Sequence, residues 1–391
     1  MKILFALTYY RPHVSGLTIY VERLARVMVR QGHDVTVLTS HYDESLPREE
    51  VRDGVRIVRV PVLFRINKGV VMPTFSWYAY RLIKQSDVVS VHLPQLEASL
   101  LAFLCRFVVR RPVILTYHCD LRLPKGLFNR LVDVVVFGSN YVAGLMADRI
   151  IAYTEDFATH SSYLSRFKRK IEVIYPPVEI APPTEAGCQA LAERLCLDNK
   201  KVVGFAARFA TEKGVEYLLG ALPAILGHFP NLQVLYAGEY EDVMGERAYM
   251  DRLRPIIEGY RDHWAFLGVV PPEEMAEFFS VCDCLVVASV NSTESFGLVQ
   301  VEAMLSGTPV VATDLPGVRE PVRVTGMGEV VPKEDARALG QAVVRVLRHG
   351  DAYVEPREEI ERIFSLQRTV EEYERLFRRN IEAVSGKGRG G

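Results

Sequence analysis

No uninterrupted apolar run in the 391-residue sequence reaches the roughly 18 residues that a bilayer-spanning helix needs, so no transmembrane segment is expected. No CxxC pair occurs either. The six cysteines are scattered, and Cys282 and Cys284 alternate within an apolar run, which suits reduced core thiols and a cytoplasmic setting. Met1-Lys-Ile-Leu-Phe runs straight into a strand pattern without the cleavage region of a secretory signal. The first strand is followed by Tyr9-Tyr-Arg-Pro-His-Val-Ser-Gly-Leu17 in place of GxGxxG, so the dinucleotide fingerprint is missing. A loop Asp-x-Asp string that would hold a metal is absent too, and the two halves show no convincing internal repeat.

A chain of this length exceeds one comfortable core, and two domains are the expectation. Hydrophobic content of 49% and charge of 24% are those of a soluble globular protein. Net charge is −1, but residues 1–175 carry +9 and the remainder −10. A basic half beside an acidic half suggests that the first meets an anionic partner. A phospholipid surface or an anionic acceptor fits the rest of the chain better than nucleic acid does.

The pattern alternates strands and helices throughout. Lys2–Thr8 reads as a buried strand, followed by a helix with Val21, Leu24, Ala25 and Met28 at helical spacing and Gly32 past its end. Further strands are expected at 34–39, 87–92, 112–117, 149–154 and 171–175, with an apolar helix over 98–109. Ser15-Gly16 opens the first helix, where backbone can approach a phosphate or simply turn. Pro112–Tyr117 ends at His118-Cys-Asp120, past the carboxyl end of a strand, where open α/β sheets place ligands. Two segments mix basic and apolar residues: 64–84, with Phe75, Trp77, Tyr78 and Tyr80 among Arg65, Lys68, Arg81 and Lys84, and 125–147, where Lys125 and Arg130 precede a long apolar run. They read equally as core or as a membrane-facing surface.

Pro176-Pro177 and Pro182-Pro183 mark a stiff connection, which divides the chain into 1–178 and 179–368. The second half restarts with a strand over 200–206 and then Arg208-Phe-Ala-Thr-Glu-Lys213-Gly214. Two cations five residues apart at a strand end suit a diphosphate clamp, Arg by its fork and Lys as a point charge; two solvated loop charges are the plainer reading. A strand at 284–289 leads to Glu294-Ser-Phe-Gly-Leu-Val-Gln-Val-Glu302, a helix from Leu298, a stop at Gly307 and a strand at 309–313. The first amides of that helix lack internal partners at its positive dipole end, and Gly297 removes the side chain that would block an anion. Two carboxylates flank the anion site. Since they repel phosphate, hydroxyls are their natural partners, and the set suits a nucleotide-sugar. Taken singly, Glu294 reads as a helix cap and Glu302 as a solvated helix residue.

The complete string resembles the E-x7-E signature of retaining GT-B glycosyltransferases of family 4, and the match extends in order over nearly the whole chain. Arg208 to Lys213 resembles the family's R-x4-K clamp and Thr116-Tyr-His118 its T-x-H segment. The family often carries two glycines at the first helix, where this chain has only Gly16. The resemblance implies two Rossmann-like doubly wound domains facing across a cleft. It also implies a helix over 369–384 that returns to the first domain, ahead of a disordered tail at 385–391. It assigns donor-sugar hydroxyls to Glu294, sugar and phosphate to the Phe296-Gly297-Leu298 backbone, ribose to Glu302, the base to the loop containing Val269, and the donor hexose to His118. Gly16 would approach the substrate, and Arg208 and Lys213 would hold the leaving diphosphate without a metal or other cofactor. The donor would be a UDP- or GDP-sugar, and the acceptor a lipid-linked, glycan or small-molecule group, with peripheral contact to the inner face of the cell membrane. A nucleotide-sugar 2-epimerase of the same architecture and a non-catalytic nucleotide-sugar-binding protein are the alternatives.

Overall fold

The computed structural model describes residues 1–66, 69–120, 127–241 and 243–387. The chain divides into two compact units, one formed by Met1–Pro177 with Leu366–Gly391 and the other by Val178–Ser365.

The first unit is built from β1 (Lys2–Ala6), β2 (Asp34–His41), β3 (Glu49–Arg52), β4 (Val55–Pro61), a hairpin of β5 (Phe64–Ile66) and β6 (Gly69–Val71), then β7 (Val88–Leu93), β8 (Val113–Tyr117), β9 (Arg149–Ala152) and β10 (Ile171–Val173). Outside the hairpin these form one sheet in the order β10-β9-β8-β7-β1-β2-β4-β3, parallel except for β3. Helices α1 (Gly16–Arg30), α2 (Phe75–Gln85), α3 (Ala98–Phe103), α4 (Leu127–Met146) and α5 (Glu155–His160) connect the strands. Strands β7 and β8 are buried along their whole length, as central parallel strands covered on both faces must be.

Helix α1 shows how the sequence sets its boundaries. Ser15 caps it by accepting the Thr18 amide at 3.2 Å. At the other end Gly32 and His33 bond back to the Val29 and Met28 carbonyls, a Schellman stop that needs Gly32 at φ 84°. The expected helix over 98–109 is α-helical only to Phe103; Leu104–Val109 continues it as a π-helix.

The second unit contains α6 (Glu185–Arg194), β11 (Lys201–Ala206), α7 (Val215–Leu226), β12 (Leu232–Ala237), α8 (Arg247–Gly259), β13 (Trp264–Gly268), α9 (Met275–Ser280), β14 (Cys284–Val287), α10 (Leu298–Leu305), β15 (Val310–Thr313), α11 (Glu320–Thr325), β16 (Gly328–Val331), α12 (Ala336–Arg348) and α13 (Arg357–Ile363). Its sheet runs β13-β12-β11-β14-β15-β16 and is parallel throughout. Phe266–Gly268 form the end of β13, and the loop containing Val269 begins just after them.

The chain then returns. Helix α14 (Leu366–Lys387) belongs to the first unit and lies against α1. It is tied there by Thr369 Oγ1 to the Tyr175 carbonyl at 2.9 Å, by His33 with Glu374, and by Arg379 with Glu172 at 2.6 Å. The helix runs to Lys387, beyond the expected stop at 384, so 385–387 are helical. Tail residues 388–391 lie outside the described residues.

Both sheets have a topological switch point. In the first unit β2 follows β1 to one side while β7 lies on the other; in the second, β12 and β14 flank β11 in the same way. Ligands of open α/β sheets enter at the carboxyl ends of the strands beside such a point.

Candidate active site

In the second unit two loops meet at the switch point, the one after β11 carrying Arg208 and Lys213 and the one after β14 carrying Glu294. Three glycines shape this edge, and Gly214 is the one that lets the two loops approach. Gly214 has φ 67°, and a Cβ there would lie 2.2 Å from the Ala288 carbonyl oxygen. Gly238 has φ 139°, and its Cβ would sit 2.0 Å from the Ala207 oxygen. Gly297 adopts φ 76°, where a Cβ would press on Gln300 Nε2 at 2.7 Å. The Val290 amide donates to the Glu212 carbonyl at 3.0 Å and stitches the two loops together.

The charged groups are then brought together across 81 residues of sequence. Lys213 Nζ donates to Glu294 Oε2 at 2.6 Å, with 21% and 20% of the two side chains exposed. Glu294 Oε1 accepts the Gly297 amide at 3.0 Å, which closes the turn just before α10 and leaves the helix's own first amides uncapped by any side chain. Burial opposes ionisation of Glu294, but the Lys213 charge, the hydrogen bond from Lys213 and the amides of Gly297 and Phe296 outweigh it and hold its pKa below the ordinary glutamate value. Arg208 is more open, at 42% exposed, and donates to Glu212 Oε1 at 3.3 Å.

Helix α10 starts at this point. Leu298 and the residue after it present N–H groups with no partner inside the helix. Phe296 is 1% exposed and packs edge-on against Phe364, so only its backbone faces outward chemistry. Gln300, which sequence reasoning passed over, is fully buried and pins the turn by donating to the Phe296 carbonyl at 2.7 Å and to Val318 at 3.0 Å. Its position three residues after Gly297 is the one sequence signal that was available. Gly307 and Thr308 close α10 through the Met304 and Ala303 carbonyls, the Schellman pattern. Glu302 is buried at 9% exposure, which corrects the plain reading of a solvated helix residue. Val269 follows Gly268 at the carboxyl end of β13 and is 71% exposed.

The first unit places its residues differently. Gly16 is the first residue of α1, and a Cβ there would meet nothing within 4 Å, so packing does not require the glycine. His118 is 5% exposed, and both ring nitrogens are engaged inside the domain. Nε2 pairs with His92 Nδ1 at 2.8 Å, and Nδ1 pairs with the Tyr153 hydroxyl. The imidazole, expected to approach a donor hexose, is thus seated at the end of β8 with both nitrogens paired inside its own unit. Burial, and then the neighbouring His92, hold His118 well below the ordinary imidazole pKa, and burial pulls His92 down to about 3. Tyr20 packs edge-on to His118 at 5.0 Å and stacks on Tyr153 at 5.4 Å. The Tyr20 hydroxyl meets that of Tyr373 on α14 at 2.6 Å, and Tyr373 also meets Thr116 Oγ1 at 2.9 Å.

At the carboxyl ends of β2 and β4 a groove of about 970 Å³ opens, lined among others by His41, Tyr42, Asp43, Arg48, Phe64 and Arg65. Of the first basic-aromatic segment, Phe75 is core, whereas Trp77 and Tyr80 are exposed beneath Arg81 and Lys84 at 5.6 and 5.5 Å. Lys68 and Lys125 lie outside the described residues. Among the described residues no group of three or more His, Cys, Asp or Glu side chains is placed to hold a metal ion, and no helix is long and apolar enough to cross a membrane.

Two parallel α/β domains with these strand orders, with a returning C-terminal helix, define the GT-B class of fold. A crystal structure of Anabaena Alr3699/HepE in complex with UDP superposes with a TM-score of 0.77 at 19% identity, over 96% of this chain and 99% of that one. The Glycosyltransferase Family 4 model matches residues 14–181 and the Glycosyl transferases group 1 model residues 200–349. The chain belongs to these group 1, family 4 glycosyltransferases. It is 28% identical to the phosphatidyl-myo-inositol mannosyltransferase of Mycobacterium leprae, over 86% of this chain and 84% of the relative. Identity is also 28%, with the same coverage of both chains, to the 2-deoxystreptamine N-acetyl-D-glucosaminyltransferase of Streptomyces fradiae.

Proposed function

We propose that the protein is a retaining, metal-independent glycosyltransferase that moves a hexose from a UDP- or GDP-sugar to a lipid-associated acceptor. The observation that carries this reading is the meeting of Lys213, Glu294 and the α10 N-terminus at the second unit's switch point. An anion arriving there finds the Lys213 ammonium, the Arg208 fork and the first amides of α10, which together supply the positive charge a leaving diphosphate needs. The bond between the anomeric carbon and the phosphate oxygen breaks, the bond to the acceptor oxygen forms on the same face, and the acceptor proton passes to the leaving phosphate. Glu294, kept ionised by its partners, accepts from sugar hydroxyls, and buried Glu302 accepts from the ribose. Exposed Val269 packs on the base. Gly16, unobstructed at the start of α1, lets backbone approach the substrate. The first unit presents the acceptor at the groove by β2 and β4. Its positive balance favours an anionic, membrane-held acceptor, in keeping with the lipid named in the mycobacterial relative.

Thermal-shift titration with UDP-glucose, UDP-N-acetylglucosamine and GDP-mannose tests the donor assignment. A ligand at a hundredfold over its Kd stabilises by about 2.7 kcal/mol, a readable shift. No shift with any of the three would remove the reading, and donor turnover without an acceptor would replace it by the epimerase.

A further inference from the structure

Gln300 is fully buried in the first turn of α10, in a space that methionine could fill without bringing a polar group inside. The orientation of its carboxamide is fixed by its neighbours. The Phe296 carbonyl at 2.7 Å and the Val318 carbonyl at 3.0 Å are both acceptors, so the nitrogen Nε2 must face them. The oxygen Oε1 is then buried with no hydrogen-bond partner among the described residues. An unmet buried acceptor opposes folding, so the amide stabilises the fold less than its two bonds suggest. Its value lies in what the nitrogen holds.

The nitrogen holds the turn that aims the α10 amides. Phe296 stands one residue before Gly297, which takes φ 76° so that the chain can enter the helix at Leu298. Val318, itself fully buried, lies between β15 and α11, and β15 is the strand next to β14 in the sheet. One atom therefore ties the turn before α10 to the loop after the neighbouring strand. The fit on the other side is close, since a Cβ on Gly297 would lie 2.7 Å from Nε2. The Phe296 ring is anchored separately, edge-on to Phe364 at 5.6 Å. With no side chain capping α10, the direction of its first N–H groups follows from this turn. Direction matters, because a hydrogen bond weakens steeply as its angle departs from linear.

We infer that Gln300 is a positioning residue for the donor's diphosphate. It touches no part of the substrate; through the Phe296 and Val318 carbonyls it sets how the first amides of α10 meet the phosphate oxygens. The inference rests on the donor reading given above. Calorimetric and competition titrations of UDP and GDP, and of uridine and guanosine, into the wild type, Gln300→Met and Gln300→Glu test it. Methionine fills the space without an N–H, and glutamate keeps the shape while turning an acceptor towards two carbonyls. Each variant should bind the preferred nucleoside diphosphate at least about tenfold more weakly, with the affinity for the matching nucleoside unchanged. A carboxyl buried against carbonyls titrates high, and its protonated form can donate one bond. The loss in Gln300→Glu, taken relative to the wild type, should therefore shrink from about pH 8 to about pH 6, and that in Gln300→Met should not. Wild-type diphosphate affinity in both variants would overturn the inference. So would an equal loss of diphosphate and nucleoside, which marks a merely structural role. If Gln300→Met does not fold, the pH profile of Gln300→Glu decides, and a flat profile counts against the inference. Failure of the wild type to bind UDP or GDP would instead remove the donor reading, and this inference with it.

Discussion

The two units share an architecture and differ in what they do with the polar groups at its functional edge. At the carboxyl edge of the second sheet the polar side chains are charged and about one-fifth to two-fifths exposed: Lys213 against Glu294, Arg208 against Glu212. At the corresponding edge of the first, His92, His118, Tyr20, Tyr153 and Tyr373 are buried and satisfy one another. Charges held half in water can exchange a protein partner for a ligand at small cost, whereas neutral groups paired in the core lose a full hydrogen bond if they turn outward. Position at the end of a parallel strand therefore selects candidates, and burial separates those held partly in water from those paired inside the domain.

The comparison breaks most readily at the clamp. Arg208→Ala and Lys213→Ala should each lower turnover at least about a hundredfold, the scale of one charge-stabilising group, without lowering the melting temperature much, because partly exposed ion pairs contribute little to stability. Near-normal rates in both folded variants would remove the ligand-ready description of this edge. Gly238→Ala should act on folding instead. Its Cβ overlaps the Ala207 carbonyl, and a forced αL-side or more extreme backbone costs about 1–3 kcal/mol, read as a lowered denaturant midpoint.

The buried histidines sharpen the contrast through pH. An unfolded imidazole takes its proton near pH 6.5, whereas folded His92 does so only near pH 3. Between these values the unfolded chain binds more protons, so stability falls as pH drops through the window, by about 2 kcal/mol from pH 6.5 to 5 for this one group. His118 adds to the slope in the same direction. Denaturant melts from pH 7 to 5 should show that fall, and His92→Gln should flatten it. An unchanged slope in the variant would mean that the pair is not held neutral in the folded protein. The smallest effect is expected from Tyr373→Phe, which removes hydrogen bonds to the Tyr20 and Thr116 hydroxyls and should cost about 1 kcal/mol of stability while donor affinity stays as it was.

Much of the fold was legible because parallel strands buried on both faces appear as short continuous apolar runs: Val113–Tyr117 and Cys284–Val287 stand out for that reason. β3 did not, since Glu49–Arg52 is an antiparallel edge strand made almost entirely of charged residues. Nor did β16, which opens on Gly328 and is mostly half-buried. The candidate site divides along the same line. Arg208, Lys213, Glu294 and Gly297 were visible as loop charges and a glycine at strand ends, but the ion pair joining Lys213 to Glu294 depends on Gly214, whose need for a left-handed backbone is set by the Ala288 carbonyl. His118 was visible by position, while its partners His92 and Tyr153 come from two other segments, and no local pattern announces them. In α4 the apolar spacing was plain. Which side would face water was not, because that depends on Phe167 and Tyr163 filling the space against Gly144.

Calorimetric titration of UDP and GDP into the wild type and into Lys213→Ala, Glu294→Ala and Glu302→Ala tests the central claim, that the second unit's switch edge holds a nucleoside diphosphate. The account predicts binding of one of the two nucleotides, weakened at least about tenfold, or 1.4 kcal/mol, by Lys213→Ala and by Glu302→Ala, and nearly unchanged by Glu294→Ala, whose partner is the absent sugar. Equal affinity in the wild type and Lys213→Ala, or no binding of either nucleotide to the wild type, would contradict it.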